Sequence, residues 1–357
     1  MSKRSNRSGR ATIRRAGAQR ERIGTAELCA ALEESLSRWS GTPLRVAGLK
    51  RRYSIHSTSF AIEELTVHPE DGTSLRLLFK DLSRRAMLES ARRVKPAFLY
   101  DPLREIETYR SILGPSRLET ATCYGAIVDP GAERYGLFLE KVPGSELYQV
   151  GDLATWQRVA GWLALMHARF AGQIETVARV APLLRYDARF YRLWADRARA
   201  GLDRGGHRLS RAERRGMERL FEGYDRVIGH LVALPATFLH GEFYASNVLV
   251  HEEGEDLRVC PVDWEMAAVG PGLIDLAALT AGGWTADERA ALALAYHAAL
   301  VPGESRPPGV FLEALDYCRL HLAVQWLGWS VGWSPPPEQA QDWLGEALGL
   351  AEKLGLA

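Results

Sequence analysis

Phe238-Leu239-His240-Gly241-Glu242-Phe243-Tyr244-Ala245-Ser246-Asn247-Val248-Leu249-Val250, followed by Val262-Asp263-Trp264-Glu265, is the stretch on which the reading of this chain turns. Apolar residues flank a polar loop, and a second apolar run ends in an acid. Val248 to Val250 and Leu257 to Val262 read as two strands, with His251-Glu252-Glu253-Gly254-Glu255-Asp256 as turn chemistry between them. Folding that hairpin about Gly254 brings Asn247, at the start of one strand, beside Asp263, at the end of the other. An amide oxygen next to a carboxylate suits Mg²⁺, a hard cation that takes few protein ligands and shares the rest of its shell with water and phosphate. Glu242, five residues before Asn247, then stands on the loop in front of the metal, where it can take a proton from an attacking hydroxyl.

The composition sets the frame for that site. At 357 residues the chain can bury a sizeable core and is long enough for two lobes. Its 46% hydrophobic and 25% charged fractions are those of an ordinary soluble protein. The formal net charge of +1 is uneven: residues 1–22 hold eight Lys and Arg against Glu21, a net +7, which leaves −6 for the rest. That basic, Ser- and Gly-containing start predicts a solvated tail. It has no apolar h-region and does not read as a secretory signal. A nucleic-acid arm has no matching fold or interleaved aromatics behind it, so no nucleic-acid partner is expected, with a nucleic-acid or anionic-membrane arm as the alternative reading of the tail itself. Cys29, Cys123, Cys260 and Cys318 show no Cys-x-x-Cys spacing and read as buried thiols in a reducing cytoplasm. No apolar run approaches the length of a membrane span. Neither a P-loop nor a Gly-x-Gly-x-x-Gly fingerprint is present.

His-Gly-Glu-x-x-x-x-Asn (240–247) followed by Asp-x-Glu (263–265) resembles the paired motifs of the aminoglycoside phosphotransferase and choline kinase family, relatives of the protein kinases. The resemblance extends over roughly residues 45–345. It implies an α+β, protein kinase-like, two-lobed fold: a basic tail over 1–24, a small antiparallel β N-lobe for nucleotide over 25–142, and a larger, mostly helical C-lobe over 143–357. It further implies ATP and Mg²⁺, with Asn247 and Asp263 as metal ligands and Glu242 as the catalytic base. The family usually has Asp at that last position, so the departure falls on the base itself.

Along the chain, Thr25 to Trp39 has helical periodicity through Leu28, Leu32 and Leu36 and is expected to pack on the outside of the first lobe. Leu44 to Arg52, Phe60 to Val67 and Ser74 to Lys80 form an antiparallel meander. Its first turn contains Ser57, Thr58 and Ser59, which by resemblance cover the nucleotide phosphates; a plain hairpin turn is the competing reading. Lys80 ends an apolar strand, where a lysine side chain is normally near solvent. In kinases such a lysine holds the α- and β-phosphates and is oriented by a helix glutamate. Glu105 fits that role best, with Tyr109 and Leu113 following on one face, and Glu107 is the alternative. Ser83 to Lys95 is strongly basic and reads as an exposed helix.

Thr122 to Ala126 and Tyr135 to Lys141 give two more strands, and the backbone around Glu140 to Val142 resembles the family's adenine-binding hinge. Leu153 to Phe170 is a core helix with His167 as a buried structural histidine. Ala181 to Leu234 is a helical, Arg-rich insertion that either covers the acceptor or is a solvated helical pair. Asp275 resembles the acid that braces the catalytic loop, and Glu265 either faces the acceptor or helps the metal shell. Phe311 to Trp329, with Trp333, precedes a Pro335-Pro336-Pro337 break and a final helix from Glu338 to Leu354. Aromatic faces there can hold a protonated or quaternary amine. The expected reaction is transfer of the γ-phosphoryl group of ATP to a hydroxyl of a small molecule in the cytoplasm. The rival is a non-catalytic nucleotide-binding protein, for which the departure at Glu242 is the argument.

Overall fold

In the computed structural model of the protein, the described residues are 23–357 without 56, 58, 117, 205–208, 255, 301–305, 330–340 and 357. The basic tail, Thr58, Trp333 and the proline break therefore lie outside the described residues.

Five strands build the N-terminal sheet: β1 (Val46–Tyr53), β2 (Ala61–Pro69), β3 (Leu75–Asp81), β4 (Cys123–Asp129) and β5 (Arg134–Glu140). They run antiparallel in the order β1-β2-β3-β5-β4, so β3 is the central strand. The helix Thr25–Ser40 lays Leu28, Leu32 and Leu36 against Leu65, Val67, Leu77, Phe79 and Phe138 and covers one face of this sheet. The i, i+4 spacing of its leucines makes that stripe. On β3 the side chains alternate, so Leu77 and Phe79 enter this core while Lys80 points the other way.

The next helix starts at Pro102–Glu107, capped by Asp101, which accepts from Leu103 N–H at 3.0 Å. It continues as a π-helical stretch over Thr108–Leu113. Its buried face carries Glu105, Ile106 and Tyr109. The segment before it differs from the expected exposed helix. A single 3₁₀ turn at Arg84–Ala86 and a short helix at Glu89–Val94 replace it, Pro96 ends the latter, and the Lys95 side chain turns inward with 5% of its surface exposed.

The C-terminal part is mostly helical around one apolar core containing Leu153–Phe170, Ala188–Asp203 and Pro308–Trp329. The Arg-rich insertion is three helices, Ala188–Asp203, Arg211–Glu222 and Tyr224–Val232. The last helix is Trp343–Lys353. Six short strands frame the site: β6 (Ser145–Glu146), β7 (Leu184–Arg185), β8 (Ala236–Leu239), β9 (Val248–Glu253), β10 (Asp256–Pro261) and β11 (Ala268–Pro271). They form two small sheets, β10-β9-β6 and β7-β11-β8. No described helix is long and apolar enough to cross a membrane. All four cysteines are free thiols; Cys260 and Cys318 are buried as expected, whereas Cys29 and Cys123 are only partly covered.

Candidate active site

The loop between β8 and β9 is held by backbone-directed hydrogen bonds. Asp275 accepts from His240 N–H at 2.7 Å and from Gly241 N–H at 2.9 Å, and His167 Nε2 lies 3.3 Å from the same carboxylate. Tyr296 O–H meets the other nitrogen of His167 at 2.9 Å. The bracing role of Asp275 and the structural role of His167 are thus met by geometry. His240 is fully buried. Its Nε2 bonds the Val262 carbonyl at 2.9 Å and its Nδ1 accepts from Glu242 N–H at 3.3 Å, which fixes one neutral tautomer. Burial pushes its pKa down, in keeping with that state.

Gly241 has φ +85°, and a Cβ there would stand 2.1 Å from the Met266 carbonyl oxygen. Gly241→Ala is therefore expected to lower stability by at least about 1–2 kcal/mol from backbone strain alone, with loss of activity as the loop is displaced. Thermal unfolding checks this; an unchanged melting temperature would contradict it.

The hairpin closes as its sequence predicts. Val248 pairs with Pro261, and Val262 N–H donates to the Asn247 carbonyl at 2.8 Å, so Asn247 and Asp263 leave the two strands side by side. Asn247 Nδ2 donates to the Glu242 carbonyl at 3.0 Å, which makes Oδ1 the end of the amide left to face a ligand. Asp263 sits in the left-handed region at φ 66°, ψ 63°, a conformation a non-glycine residue keeps only where its surroundings impose it.

Lys80 lies between two acids: its Nζ is 2.7 Å from Glu105 Oε2 and 2.6 Å from Asp263 Oδ1. Of the two helix candidates, Glu105 is the partner; Glu107 instead accepts from Ser111 at 2.7 Å. Contrary to the expectation of a lysine near solvent, Lys80 is only 5% exposed. Burial disfavours its charge, but Asp263, Glu105 and Glu265 more than offset that and hold its pKa above the ordinary lysine value. Burial acts to raise the Asp263 carboxyl, yet Lys80 brings it below the usual range, whereas in Glu105 burial wins and the pKa is raised.

These groups share one cleft of about 1100 Å³, whose lining also includes Ser57, Ser59, Glu140, Val142, Glu242 and Asn247. Glu105, Glu242, Asp263 and Glu265 meet the ammonium groups of Lys80 and Lys95 in that lining, which also includes Glu64 paired with Lys141. The Glu242 carboxyl is pushed up to about 8 by burial and by the charges of Glu265 and Asp263. Ser57 Oγ is engaged within its own turn, donating to Ser54 O at 3.1 Å and accepting from Ile62 N–H at 3.0 Å. Ser59 Oγ donates to Glu265 Oε1 at 3.0 Å, across the cleft. The Glu140 side chain turns away to form a two-pronged pair with Arg258 at 2.7 and 2.8 Å, so only its backbone is available to a ligand.

Sequence reasoning passed over two residues here. Lys95 Nζ is 2.5 Å from Glu265 Oε2. Arg104, next to Glu105, is buried and donates to three carbonyls, of Pro182, Leu99 and Glu265, at 2.8–2.9 Å. Both were hidden by ordinary context, a basic run for Lys95 and a helix start for Arg104. The Lys95-Pro96 boundary is the one local sign that the basic helix stops and reverses. Among the described residues no cluster of three or more His, Cys, Asp or Glu forms a metal cage.

Solved structures that resemble this one include three small-molecule kinases. Aminoglycoside 2'-phosphotransferase-IIIa in its GDP complex matches with a TM-score of 0.54 at 14% identity, over 90% of this chain and 96% of that one. Choline kinase from Cryptosporidium parvum Iowa II matches with a TM-score of 0.56 at 14% identity, over 93% and 94%. Ethanolamine kinase from Plasmodium vivax matches with a TM-score of 0.52 at 11% identity, over 86% and 82%. At these identities the likeness establishes the kinase-like fold. No curated protein sequence matches the chain. The sequence model of the phosphotransferase enzyme family APH matches residues 104–309, more than half of the chain, and the protein belongs to that family.

Proposed function

We propose that the protein transfers the γ-phosphoryl group of ATP to a hydroxyl of a small, amine-bearing molecule. The observation that carries this reading is the placement of Lys80 between Glu105 and Asp263, with Asn247 and Glu242 lining the same cleft. In kinases that constellation holds the nucleotide phosphates and the divalent cation. Asp263 and the Asn247 amide oxygen would hold Mg²⁺, which when bound neutralises charge on the phosphates. The small number of protein oxygens suits a cation that takes the rest of its shell from water and phosphate, and the surplus of carboxylates in the cleft suits a positive guest.

Glu242 accepts the proton of the acceptor hydroxyl as that oxygen bonds the γ-phosphorus. The bond to the bridging oxygen breaks and the nucleoside diphosphate leaves. Lys80 binds the inner phosphates, the turn Ser54–Ser59 covers them, and the backbone of Glu140 to Val142 meets the adenine edge. Most of the rate enhancement in such a site is positioning and charge neutralisation. An acid one methylene longer than the family's usual Asp keeps the functional group and is tolerable on a loop.

The acceptor class follows from the cleft wall. Tyr244, Trp326 and Trp329 line it together with Glu242, and Trp326 Nε1–H donates to Tyr244 Oη at 2.7 Å. Aromatic faces beside carboxylates favour a protonated or quaternary amine. The resembling structures include a choline kinase and an ethanolamine kinase. Screening the purified protein for ATP consumption against an alcohol library tests the reading, with amine-bearing alcohols expected to rank first. No turnover with any acceptor would count against it.

Lys80→Ala is expected to weaken binding of both ATP and ADP. It should also destabilise the fold by roughly 3 kcal/mol, the low end for breaking a buried ion pair, because two carboxylates lose their shared cation. Nucleotide affinity and melting temperature are measured together; a variant unchanged in both would remove the phosphate-binding role from Lys80.

A further inference from the structure

The cleft contains a second buried lysine, and the segment that delivers it is strapped to the phosphate-covering turn. Leu88 N–H donates to the Ser59 carbonyl at 3.0 Å, and Phe60 forms a β-bridge with Met87. The chain then makes the short helix Glu89–Val94, stops at Pro96, and directs Lys95 into the cleft over the ring of Phe60, 5.4 Å from its centroid. Glu265 holds the ammonium at 2.5 Å with one oxygen while its other oxygen takes the Ser59 hydroxyl. The cleft thus has two buried ammonium groups, each paired with a glutamate, Lys80 with Glu105 and Lys95 with Glu265, besides the more exposed Lys141, which pairs with Glu64. They are placed at different ends of the chemistry. Lys80 pairs with Asp263, the acid at the end of the hairpin, whereas Lys95 pairs with Glu265 and through it with the Ser59 end of the turn.

We propose that Lys95 is a second phosphate-binding cation, which meets the terminal phosphate of a nucleoside triphosphate while Lys80 meets the inner ones. The inference rests on the phosphotransferase reading above and assigns that site a residue beyond it. An ammonium has three N–H donors, so Lys95 can keep its ion pair with Glu265 and still bond a phosphate oxygen. Lys95 lines the same cleft as Glu242, and the phosphoryl group in transit must lie in that cleft between the nucleotide and the acceptor hydroxyl. A cation there gains most when the triphosphate brings extra negative charge into a cleft already rich in carboxylates. Glu265 and Ser59 are positioning residues in this arrangement: Glu265 holds the cation with one oxygen and accepts from the Ser59 hydroxyl with the other.

The test compares binding of the Mg²⁺ complexes of ADP and of the β,γ-imido analogue of ATP to the full-length protein by calorimetry. Lys95→Gln is expected to lose roughly tenfold or more in affinity for the triphosphate, the scale of one charge-assisted hydrogen bond, with ADP affinity unchanged within about twofold. Lys95→Arg should retain most of the triphosphate affinity. Removing Lys95 alone leaves Glu265 without its cation and can weaken the fold. A Lys95→Met, Glu265→Gln double variant removes both charges and must show the same selective loss, with its melting temperature as the control. Equal losses for both nucleotides, or none, would overturn the assignment and leave Lys95 a strut between the turn and Glu265. Wild-type protein that binds neither nucleotide would instead remove the phosphotransferase reading itself, and this proposal with it.

Discussion

Asp263→Asn is expected to cut turnover at least about 10³-fold while the protein stays folded, since a metal clamp supplies roughly 4 kcal/mol of transition-state stabilisation. The structure explains why fold and activity should separate so cleanly. Asp263 occupies the left-handed region at φ 66°, where asparagine is among the best-tolerated residues. The substitution keeps the size of the side chain and removes only its charge. Lys80 loses one of its two acids but keeps Glu105 at 2.7 Å, so no buried cation is left alone. The hairpin is held by β9–β10 pairing and by Val262 N–H on the Asn247 carbonyl, neither of which involves the carboxylate. What is lost is the anionic oxygen for the divalent cation. Activity with Mg²⁺ and the melting temperature are measured on the same preparation. A folded variant with near-full activity would sink the metal assignment.

The hairpin, the glycine-bearing loop, Asp275 and the core helix Leu153–Phe170 were legible because each is encoded locally. A turn with Gly254 between two apolar runs has one reading, and the spacing of Asn247 to Asp263 follows from the register it imposes. The helix shows its period through Trp156, Val159, Leu163 and Met166, all of which are buried. The misses share a different cause. Lys95 sits in a run with Arg84, Arg85, Arg92 and Arg93, and a charge run reads as a solvated face. Its burial is decided by Glu265 and Phe60, which lie outside that run. Lys80 was expected near solvent because it ends an apolar strand, although Glu105 and Asp263 enclose it. The carbonyls that Arg104 collects and the Arg258 that takes Glu140 are likewise fixed by tertiary packing, to which period and propensity are blind. The acceptor is less legible still, since it depends on how three aromatic residues from two distant segments meet over one cavity.

Glu242→Gln is expected to lower turnover by about 10²–10⁴-fold, the usual worth of general-base assistance. The change is close to isosteric and leaves the loop intact, because the loop is built from main-chain atoms: Glu242 N–H on His240 Nδ1 and the Glu242 carbonyl on Asn247 Nδ2. Nucleotide affinity should be spared, as Lys80, Asn247 and Asp263 are untouched. The cleft favours the acid as a proton acceptor, since burial and the nearby Glu265 and Asp263 hold its carboxyl well above the usual range. Glu242→Asp discriminates further. If the cleft is shaped around the longer side chain, the shorter acid should be slower even though it restores the residue the family usually has, because it withdraws the carboxylate by one methylene from the hydroxyl it must reach. If Glu242 is a relic in a dead site, neither wild type nor Glu242→Asp will phosphorylate any acceptor, while both bind ATP. That outcome across a broad screen of alcohols would replace the transferase reading with that of a nucleotide-binding protein acting through its partners. Turnover by wild type together with loss in Glu242→Gln would exclude it, since a binding protein has no rate for the amide to remove.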